Sequence, residues 1–410
     1  MGVTVILVRM LGPTVEGEFF VLTSLTTFAA TVGSVGLGPA TIQEAHQVPK
    51  RLSAFYRVAL QVTVVAASAA GVAAATLFIL TGDGVAVLPL FAAAVALSLG
   101  KALSLLASET RRGVGDAKIA TASGGPTVVI ASSIGAILVA TVAGRPGVVE
   151  LGIGAGVTTL IFGLGIAQRT RSRIQLQERG RDRTHQLGMR DVARRGRPYL
   201  LANMLATGAN NLDIWVLALI TSFDEAGAFG VAVRVAVAFA LPMTAANILL
   251  PKYLSRPSLD RPGGLGTRSI VTAARTSTGT TIGLISVWVL VGRVALDFGL
   301  NEPRISVYLI VIILGAGHLS SAAFGASGLV LTLRGDSKSL QFGAVVNLAI
   351  TAGLGVPMTI GFGPIGLAIA TALGTSAQNL ALYSRCLSRH GIGTAVWSPL
   401  VRADTRIPCE

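Results

Sequence analysis

The sequence is poor in charged residues, aromatic residues and cysteine. Of its 410 residues, 13% are Asp, Glu, Lys or Arg and 5% are Phe, Trp or Tyr, whereas soluble domains carry about 25% charged residues. A water-soluble fold of this length would lack a polar surface. The two cysteines, Cys386 and Cys409, are too few for a disulfide-rich domain. The four histidines do not have zinc-site spacing with each other or with cysteine.

Apolar residues are abundant instead. Ala, Val, Ile, Leu, Met, Phe, Trp, Tyr and Cys make up 52% of the chain, which also has 49 glycines. A helix crosses the ~30 Å hydrocarbon core of a bilayer with about 20 such residues. Strands of a membrane barrel would alternate apolar and polar residues, which these runs do not. The sequence predicts an all-α polytopic membrane protein with a short first helix at 1–11 and full spans at about 18–41, 54–80, 85–108, 119–143, 150–168, 198–221, 226–250, 269–292, 304–333, 340–361 and 364–384.

The distribution of Lys and Arg predicts the orientation of these twelve helices. The connections on one side hold 28 of the 33 Lys and Arg residues, the other connections hold four, and Arg234 lies inside a span. Lys and Arg accumulate on the cytoplasmic side of a membrane. The C-terminus and the arginine-rich segment 169–197 are therefore predicted to be cytoplasmic, in an inner-membrane protein. Because the net charge of +14 is distributed between apolar runs, no nucleic-acid partner is expected.

The two halves of the chain resemble each other. PTVEGEFF at 13–20 corresponds to FDEAGAFG at 223–230, and GDAK at 115–118 corresponds to GDSK at 335–338. Such repeats are the usual origin of pseudo-symmetric transporter lobes. At the offset of 210 between the first two segments, Met1 falls opposite Asn211. The first helix is therefore expected to lack its cytoplasmic half, because the true start lies upstream or because the gene is truncated. The predicted organisation is an N-terminal lobe at 1–168, a basic cytoplasmic linker at 169–197, a C-terminal lobe at 198–384 and a cytoplasmic tail at 385–410.

Several segments together resemble one family of transporters. They are RMLGPTVEGEFF (Arg9–Phe20), VGLGPATI (Val35–Ile42), NNLDIWVLALITSFDEAGAFGVAVRV (Asn210–Val235), LPKYLSR (Leu250–Arg256), LTLRGDSKSLQFGAVVNL (331–348) and GFGPIGLAIATALG (361–374). Each is a loose pattern of Gly, Pro and charged residues, but they cover nearly the whole chain in the right order. By these segments the sequence resembles the polysaccharide-biosynthesis flippases of the multidrug/oligosaccharidyl-lipid/polysaccharide (MOP) exporter superfamily.

The resemblance implies a fold and a function. The fold would be twelve or fourteen helices in two lobes around a central cavity. The function would be transfer of a polyprenyl-pyrophosphate-linked oligosaccharide across the cytoplasmic membrane by alternating access. Partners would be this lipid-linked saccharide, membrane lipids, glycosyltransferases and a polysaccharide polymerase. Three alternatives stay open: a multidrug or small-cation antiporter of the same fold, a peptidoglycan-precursor flippase, and an inactive membrane scaffold.

Two charged residues inside predicted spans are the first candidates for a substrate site. Asp213 lies 11 residues before the predicted outer turn at Asp224 and Arg234 lies 10 residues after it, so each is about 15 Å deep. A charge at that depth costs about 2.5–3.5 kcal/mol and calls for a partner or a function. The two residues could form a salt bridge. Alternatively, Arg234 binds the pyrophosphate of the substrate, since a guanidinium forks onto phosphate oxygens, or Asp213 binds the ion or drug of an antiporter.

One face of the seventh predicted helix is polar. At 100° per residue its members fall within about 120°, and the face is predicted either to bind substrate or to form amide hydrogen bonds between helices. The residues are Asn203, Ala206, Thr207, Asn210 and Asp213.

Coupling or gating residues are predicted elsewhere. His318 could couple a proton, because the ordinary histidine pKa is about 6.5, or it could hydrogen-bond a neighbour such as Ser321. The others lie at predicted helix ends. Lys101 and Arg57 would snorkel to headgroups or form an inner gate with Glu44. Arg9 with Glu16 and Glu18 would form outer-gate pairs or a simple loop ion pair.

Enzyme chemistry has little support in the sequence. Gly361, Gly363 and Gly366 satisfy the pattern G-x-G-x-x-G, but no strand precedes them and no ribose-binding acid follows. No catalytic residue, metal ligand or cofactor is predicted. Whether transport would use a proton gradient, a sodium gradient or the membrane potential stays open.

Overall fold

A computed structural model describes residues 13–48, 51–80, 86–144, 146–177, 187–250, 265–299 and 305–399. Within these ranges the chain is helical and contains no strand, so the prediction of an all-α polytopic membrane protein is confirmed. The predicted first helix, with Arg9, lies outside the described residues. The described helices are α1 (Pro13–Gly33), α2 (Leu37–Gln47), α3 (Leu52–Ile79), α4 (Val87–Gly113), α5 (Ala117–Ser123), α6 (Gly125–Ala143), α7 (Val148–Gln177), α8 (Met189–Ala209), α9 (Leu212–Ile220), α10 (Phe223–Leu249), α11 (Leu265–Gly299), α12 (Ile305–Phe324), α13 (Ser327–Arg334) and α14 (Ser337–His390).

Seven of the described helices are long and apolar enough to cross a membrane, and α1 with α2 would make an eighth span. The remaining predicted spans fall on shorter or interrupted helices. The span predicted at 198–221, for example, is divided into α8 and α9, which meet at Asn210 and Asn211. The span predicted at 304–333 has α12 as one of the seven, and a break at Gly325, where φ is 72°, separates α12 from the short helix α13. Hydropathy is continuous across such a break and does not reveal it.

Contacts between residues divide the chain into two units, Met1–Gly230 and Val231–Glu410. The division falls within α10, whereas the predicted lobe boundary is the segment 169–197, and the predicted lobes stay a prediction. Both ends of the predicted linker are helical, since α7 continues to Gln177 and α8 begins at Met189.

In the first unit, the predicted span 18–41 is a broken helix. α1 ends at Gly33 and α2 begins at Leu37, with a bend of 43°. Val35 and Gly36 have φ of 50° and 67°, the left-handed conformation that ends a helix. Gly36 also lies against α8, because a Cβ there would be 2.3 Å from the carbonyl oxygen of Gly196. The bend therefore depends on a close backbone contact, which only glycine permits.

In the second unit, α14 contains the last two predicted spans as an antiparallel pair. The helix is interrupted at Gly363, where φ is 60° and ψ is −148°. Asn347 Nδ2 donates to Gln378 Oε1 at 2.8 Å across the pair, and a Cβ at Gly366 would be 2.1 Å from the carbonyl oxygen of Met358. The turn predicted between 361 and 364 is therefore present.

The chain after α14 packs back against the second unit. Val396 N donates to the carbonyl of Ala323 at 2.8 Å, and Thr394 Oγ1 donates to that of Phe324 at 2.8 Å. The Trp397 ring lies 5.3 Å from the Phe324 ring. These contacts satisfy carbonyls left open at the end of α12, so part of the predicted tail is an ordered segment of the fold.

Candidate functional site

A cluster of polar side chains joins α1 to α8 and α9 in the first unit. Asn211 Oδ1 accepts a hydrogen bond from Ser24 Oγ at 3.0 Å, and Asn211 Nδ2 donates to the carbonyl of Thr207 at 2.7 Å. Thr207 Oγ1 is also 3.2 Å from Thr31 Oγ1. We call Ser24, Thr31, Thr207 and Asn211 the Asn211 cluster. Thr207 is the member of the predicted polar face that belongs to the Asn211 cluster.

The Asn211 cluster lies where the seventh predicted helix is interrupted. α8 ends at Ala209 and α9 begins at Leu212, so the span predicted at 198–221 is two helices. The Asn211 amide bridges the neighbouring helix and the last turn of α8. Hydrogen bonds of this kind, from an amide on one helix to a side chain on another, help to hold membrane helices together.

Asp213 lies in the first turn of α9 and is 3% exposed. Its Oδ1 accepts a hydrogen bond from the backbone N–H of Ile214 at 2.9 Å. A carboxylate at a helix N-terminus is favoured by the orphan N–H groups and the helix dipole there. Because α9 begins at Leu212, the backbone N–H of Ile214 is in the first turn and can donate to the Asp213 carboxylate. In an uninterrupted helix this N–H would donate to a backbone carbonyl. The predicted pairing of Asp213 with Arg234 stays a prediction.

Arg234 lies on α10, a helix long and apolar enough to cross a membrane. Its side chain is half-buried. The residue is eleven positions after the first residue of α10, which places its Cα about 16 Å along the helix. Its binding of substrate stays a prediction.

Lys101 corrects a prediction, because it does not lie at a helix end. It is near the middle of α4, and its ammonium turns to α1. Nζ donates to the carbonyl of Thr23 at 2.8 Å, to Thr26 Oγ1 at 3.0 Å and to Thr27 Oγ1 at 2.9 Å. An ammonium has three donors, and these oxygens use all three. Lys101 is therefore a link between α1 and α4 rather than a snorkelling cation.

Glu44 joins three helices at the predicted cytoplasmic side of the first unit. This residue of α2 is 3% exposed and contacts Arg195 Nη1 of α8 through Oε2. Its Oε1 lies 3.7 Å from Nε of Arg51, the residue before α3. We call Glu44, Arg51 and Arg195 the Glu44 cluster. The position of the Glu44 cluster agrees with the predicted gate. Its contacts agree equally with an ion pair that fixes α2 to α8.

The other predicted residues are dispersed. Asn203 is half-buried on α8, while Asn210 and Arg57 are exposed. Half-buried His318 lies on α12. Ser321, its predicted neighbour, accepts a hydrogen bond from Asn379 Nδ2 at 2.7 Å.

Sequence reasoning missed Asn211 and its partner Ser24. The signal was present, since Asn211 is four residues after Thr207 and shares its helix face. The sequence prediction named Asn210, its neighbour in the Asn-Asn pair, instead. No potential metal site, as a group of three or more His, Cys, Asp or Glu, occurs in the part of the chain that the structure describes.

Comparisons with known proteins identify the fold. No family model and no curated protein matches the sequence. Among solved structures, the MATE multidrug transporter DinF-BH is 14% identical with a TM-score of 0.61, over 96% of this chain and 91% of that one. The lipid II flippase MurJ in an inward closed conformation is 13% identical with a TM-score of 0.62, over 93% and 84%.

A third similar structure is a MOP superfamily transporter from Pyrococcus furiosus, described by the reverse polarity of its binding pocket. It is 12% identical with a TM-score of 0.61, over 94% of this chain and 87% of that one. The resemblance noted from the sequence is therefore confirmed at the level of the fold: this chain folds as the MATE and MOP superfamily transporters do.

Proposed function

We propose that this protein translocates a polyprenyl-pyrophosphate-linked oligosaccharide across the cytoplasmic membrane by alternating access, for cell-surface polysaccharide biosynthesis. The observation that carries the proposal is Arg234, a half-buried arginine well inside the span α10. A guanidinium presents two parallel N–H donors to phosphate oxygens, and its attraction to an anion strengthens away from water. The pyrophosphate of the lipid carrier is the anion that this residue would bind.

The fold supports the proposal, because one similar structure is named as a flippase of lipid II. In this proposal the saccharide would be supplied by glycosyltransferases and consumed by a polymerase. The inner membrane is the proposed location, with 169–197 and the C-terminus in the cytoplasm.

The second candidate function is multidrug or small-cation antiport, and buried Asp213 favours it. A carboxylate that exchanges a proton or sodium ion for a cationic drug must lie in a span away from water. The similar structures include MATE multidrug transporters. The two candidates require different charges at the substrate site: a cation for the pyrophosphate carrier and a carboxylate for a cationic drug.

Export of surface polysaccharide from cells carrying single substitutions tests the proposal. Arg234→Ala should abolish export at normal membrane abundance, and Arg234→Lys should retain part of it, because charge remains while the fork is lost. Arg293→Ala is the matched control, since Arg293 is an exposed arginine near the end of α11. Wild-type export by Arg234→Ala would remove the residue from the mechanism.

A dye-efflux assay on the same strains separates the two candidates. Loss of efflux in Asp213→Asn together with normal polysaccharide export would replace the proposed function by cation antiport. Asp213→Asn conserves the shape of the side chain and removes its charge. Normal abundance of the variant then shows that the charge, rather than folding, was needed.

A further inference from the structure

The second unit contains a groove of about 780 Å³ between α10 and α11. Leu241, Ala245 and Leu249 lie along its α10 wall, and Thr272 and Thr276 lie along its α11 wall. At one end the two helices are joined, because Thr281 Oγ1 donates to the carbonyl of Phe239 at 3.1 Å and is buried.

At the other end the groove is lined by Arg268, close to the start of α11. Thr280 lies twelve residues after Arg268, so the α11 wall is about 18 Å long. One leaflet of hydrocarbon is about 15 Å thick, half of the ~30 Å core. The groove therefore has the length of one acyl chain, with a cation at the end predicted to be cytoplasmic.

The threonines of the groove leave it largely apolar. Thr276 Oγ1 donates to the carbonyl of Thr272 at 3.0 Å, and Thr280 Oγ1 donates to that of Thr276 at 2.9 Å. With the hydroxyl donors of Thr276 and Thr280 satisfied inside α11, these two residues have little need of a polar ligand. The strong polar group that lines the groove is Arg268.

The α11 wall continues toward the other end of the helix as an exposed apolar surface. Val287, Val291 and Val294 are 58%, 52% and 51% exposed, and their spacing from Thr276 and Thr280 places them on the same helix face. Exposed valines in a span form a surface that hydrocarbon can cover. The groove is thus continuous with a surface suited to lipid.

We propose that this groove binds one anionic phospholipid of the cytoplasmic leaflet, with its phosphate at the Arg268 guanidinium and one acyl chain between α10 and α11. An arginine fork matches a phosphate, and anionic lipids concentrate near Lys and Arg at the cytoplasmic face. Arg275, two turns further along α11, has a different role. Its Nε donates to the carbonyl of Val396 at 3.0 Å and Nη2 to that of Ser398 at 3.4 Å, so it holds the chain after α14.

Native mass spectrometry of the detergent-purified full chain tests this site with phosphatidylglycerol and phosphatidylcholine as probes. The wild type should retain one phosphatidylglycerol that phosphatidylcholine does not replace. Arg268→Gln should weaken this retention roughly tenfold, as expected for a lost charge-assisted hydrogen bond. Arg268→Lys should weaken it less. Ala245→Phe, which fills the exposed α10 wall, should abolish it.

Two control variants on the same helix separate the groove from general effects. Arg293→Gln removes an exposed arginine outside the groove, and Ser286→Phe adds a ring at another exposed position of α11. Both should retain phosphatidylglycerol as the wild type does. Melting temperatures in detergent show whether each variant is folded. If Arg268→Gln is not folded, the retention of phosphatidylglycerol by Arg268→Lys tests the role of the guanidinium.

Three outcomes would overturn the site. The first is equal retention of both phospholipids, and the second is retention unchanged by Ala245→Phe. The third is displacement of phosphatidylglycerol by equimolar polyprenyl phosphate, which would make the groove a site for the carrier lipid. None of these depends on polysaccharide export, so the site and the proposed function are tested separately.

Discussion

Gly115 and Gly335 are 220 residues apart and occupy the same position in two equivalent turns. Their φ angles are 86° and 73°. In both turns the backbone N–H of the following aspartate, Asp116 or Asp336, donates at 2.9 Å to the carbonyl five residues earlier. This is the bond that closes a helix at a left-handed glycine. The repeated GDAK and GDSK segments therefore encode the same turn in each half of the chain.

Replacing either glycine by alanine should destabilise the protein by about 1 kcal/mol, because the new Cβ is strained at positive φ. Nothing lies within 4 Å of a Cβ at either position, so the cost would come from the backbone alone. Gly165→Ala is the control, since this glycine is exposed inside helix α7 with open space around it. It should stabilise by about 0.5–1 kcal/mol. Thermal unfolding in detergent measures the three variants, and equal effects would contradict the assignment.

These turns show which parts of the fold the sequence could predict. A glycine at positive φ between two helices is a local requirement, and it is visible as a repeated Gly-Asp pair. The bend at Val35 and Gly36 was not predicted, although Gly36 is visible too. That bend depends on the contact of Gly36 with Gly196, 160 residues away, and hydropathy is uniform across it.

The polar residues show the same limit. The helical period predicts that Thr207 lies on a polar face, and in the structure its hydroxyl is 3.2 Å from that of Thr31 on α1. Lys101 was predicted near a helix end from the bounds of the hydropathic span alone. Hydropathy does not show which side chains of other helices lie beside a residue. The acceptors on α1 that turn Lys101 inward lie 74 to 78 residues away in sequence.

Asn211 should contribute more to stability than its neighbour Asn210. Asn211→Ala removes hydrogen bonds to Ser24 and to the carbonyl of Thr207, and we expect a loss of about 1–2 kcal/mol. Asn210 is exposed, so Asn210→Ala should change stability by less than about 0.5 kcal/mol. Thermal unfolding of both variants in one detergent is the measurement. A larger loss for Asn210→Ala would mean that the amide between α1 and α8 is misassigned.

Lys101 should tolerate an apolar replacement and not an acidic one. Thr26 and Thr27 each donate a hydrogen bond to the carbonyl of Thr23, so Lys101→Met leaves no donor unsatisfied and should cost less than about 1 kcal/mol. Lys101→Glu places a carboxylate beside the same oxygen atoms, which offer it no additional hydrogen-bond donor. It should lower the free energy of unfolding by about 2–4 kcal/mol. Unfolding curves of the purified variants distinguish them. Equal losses for Met and Glu would show that the hydrogen bonds of the ammonium to α1 outweigh the cost of burying its charge.

The Glu44 cluster should respond non-additively to loss of its arginines. Arg195→Gln leaves Glu44 beside Arg51, and Arg51→Gln leaves it beside Arg195, so each should cost about 1 kcal/mol. The double variant leaves a buried carboxylate without a cationic neighbour in the cluster, and its cost should exceed the sum by about 1 kcal/mol or more. Arg112→Gln is the control, because Arg112 is 53% exposed in its pair with Glu109, and it should cost less than about 0.5 kcal/mol. Additive losses would show that the two arginines act independently on α2.

The ion pair at Asp336 predicts a loss of stability in acid. Asp336 lies in the turn between α13 and α14, where Oδ1 accepts from Ser339 N at 3.1 Å and Oδ2 from Ser339 Oγ at 2.8 Å. Arg389 Nη1 and His390 Nε2 are 3.3 and 3.5 Å from Oδ2. Partial burial raises the pKa of this carboxyl, but the Ser339 and Arg389 contacts outweigh it and hold the pKa below its ordinary value of 3.8.

A lowered pKa in the folded state means that ionised Asp336 stabilises the protein above its ordinary pKa and that this contribution is lost as the pH falls through the folded value. Asp336→Asn should therefore be less stable than the wild type at pH 7, and the difference should shrink as the pH falls below about 4. Asp191→Asn, an exposed aspartate in the first turn of α8, should change stability by less than about 0.5 kcal/mol at both pH values. Melting temperatures of the three proteins at pH 7 and near pH 3 measure the effect. A difference that stays constant would mean that the shape of the Asp336 cap, rather than its charge, stabilises the turn.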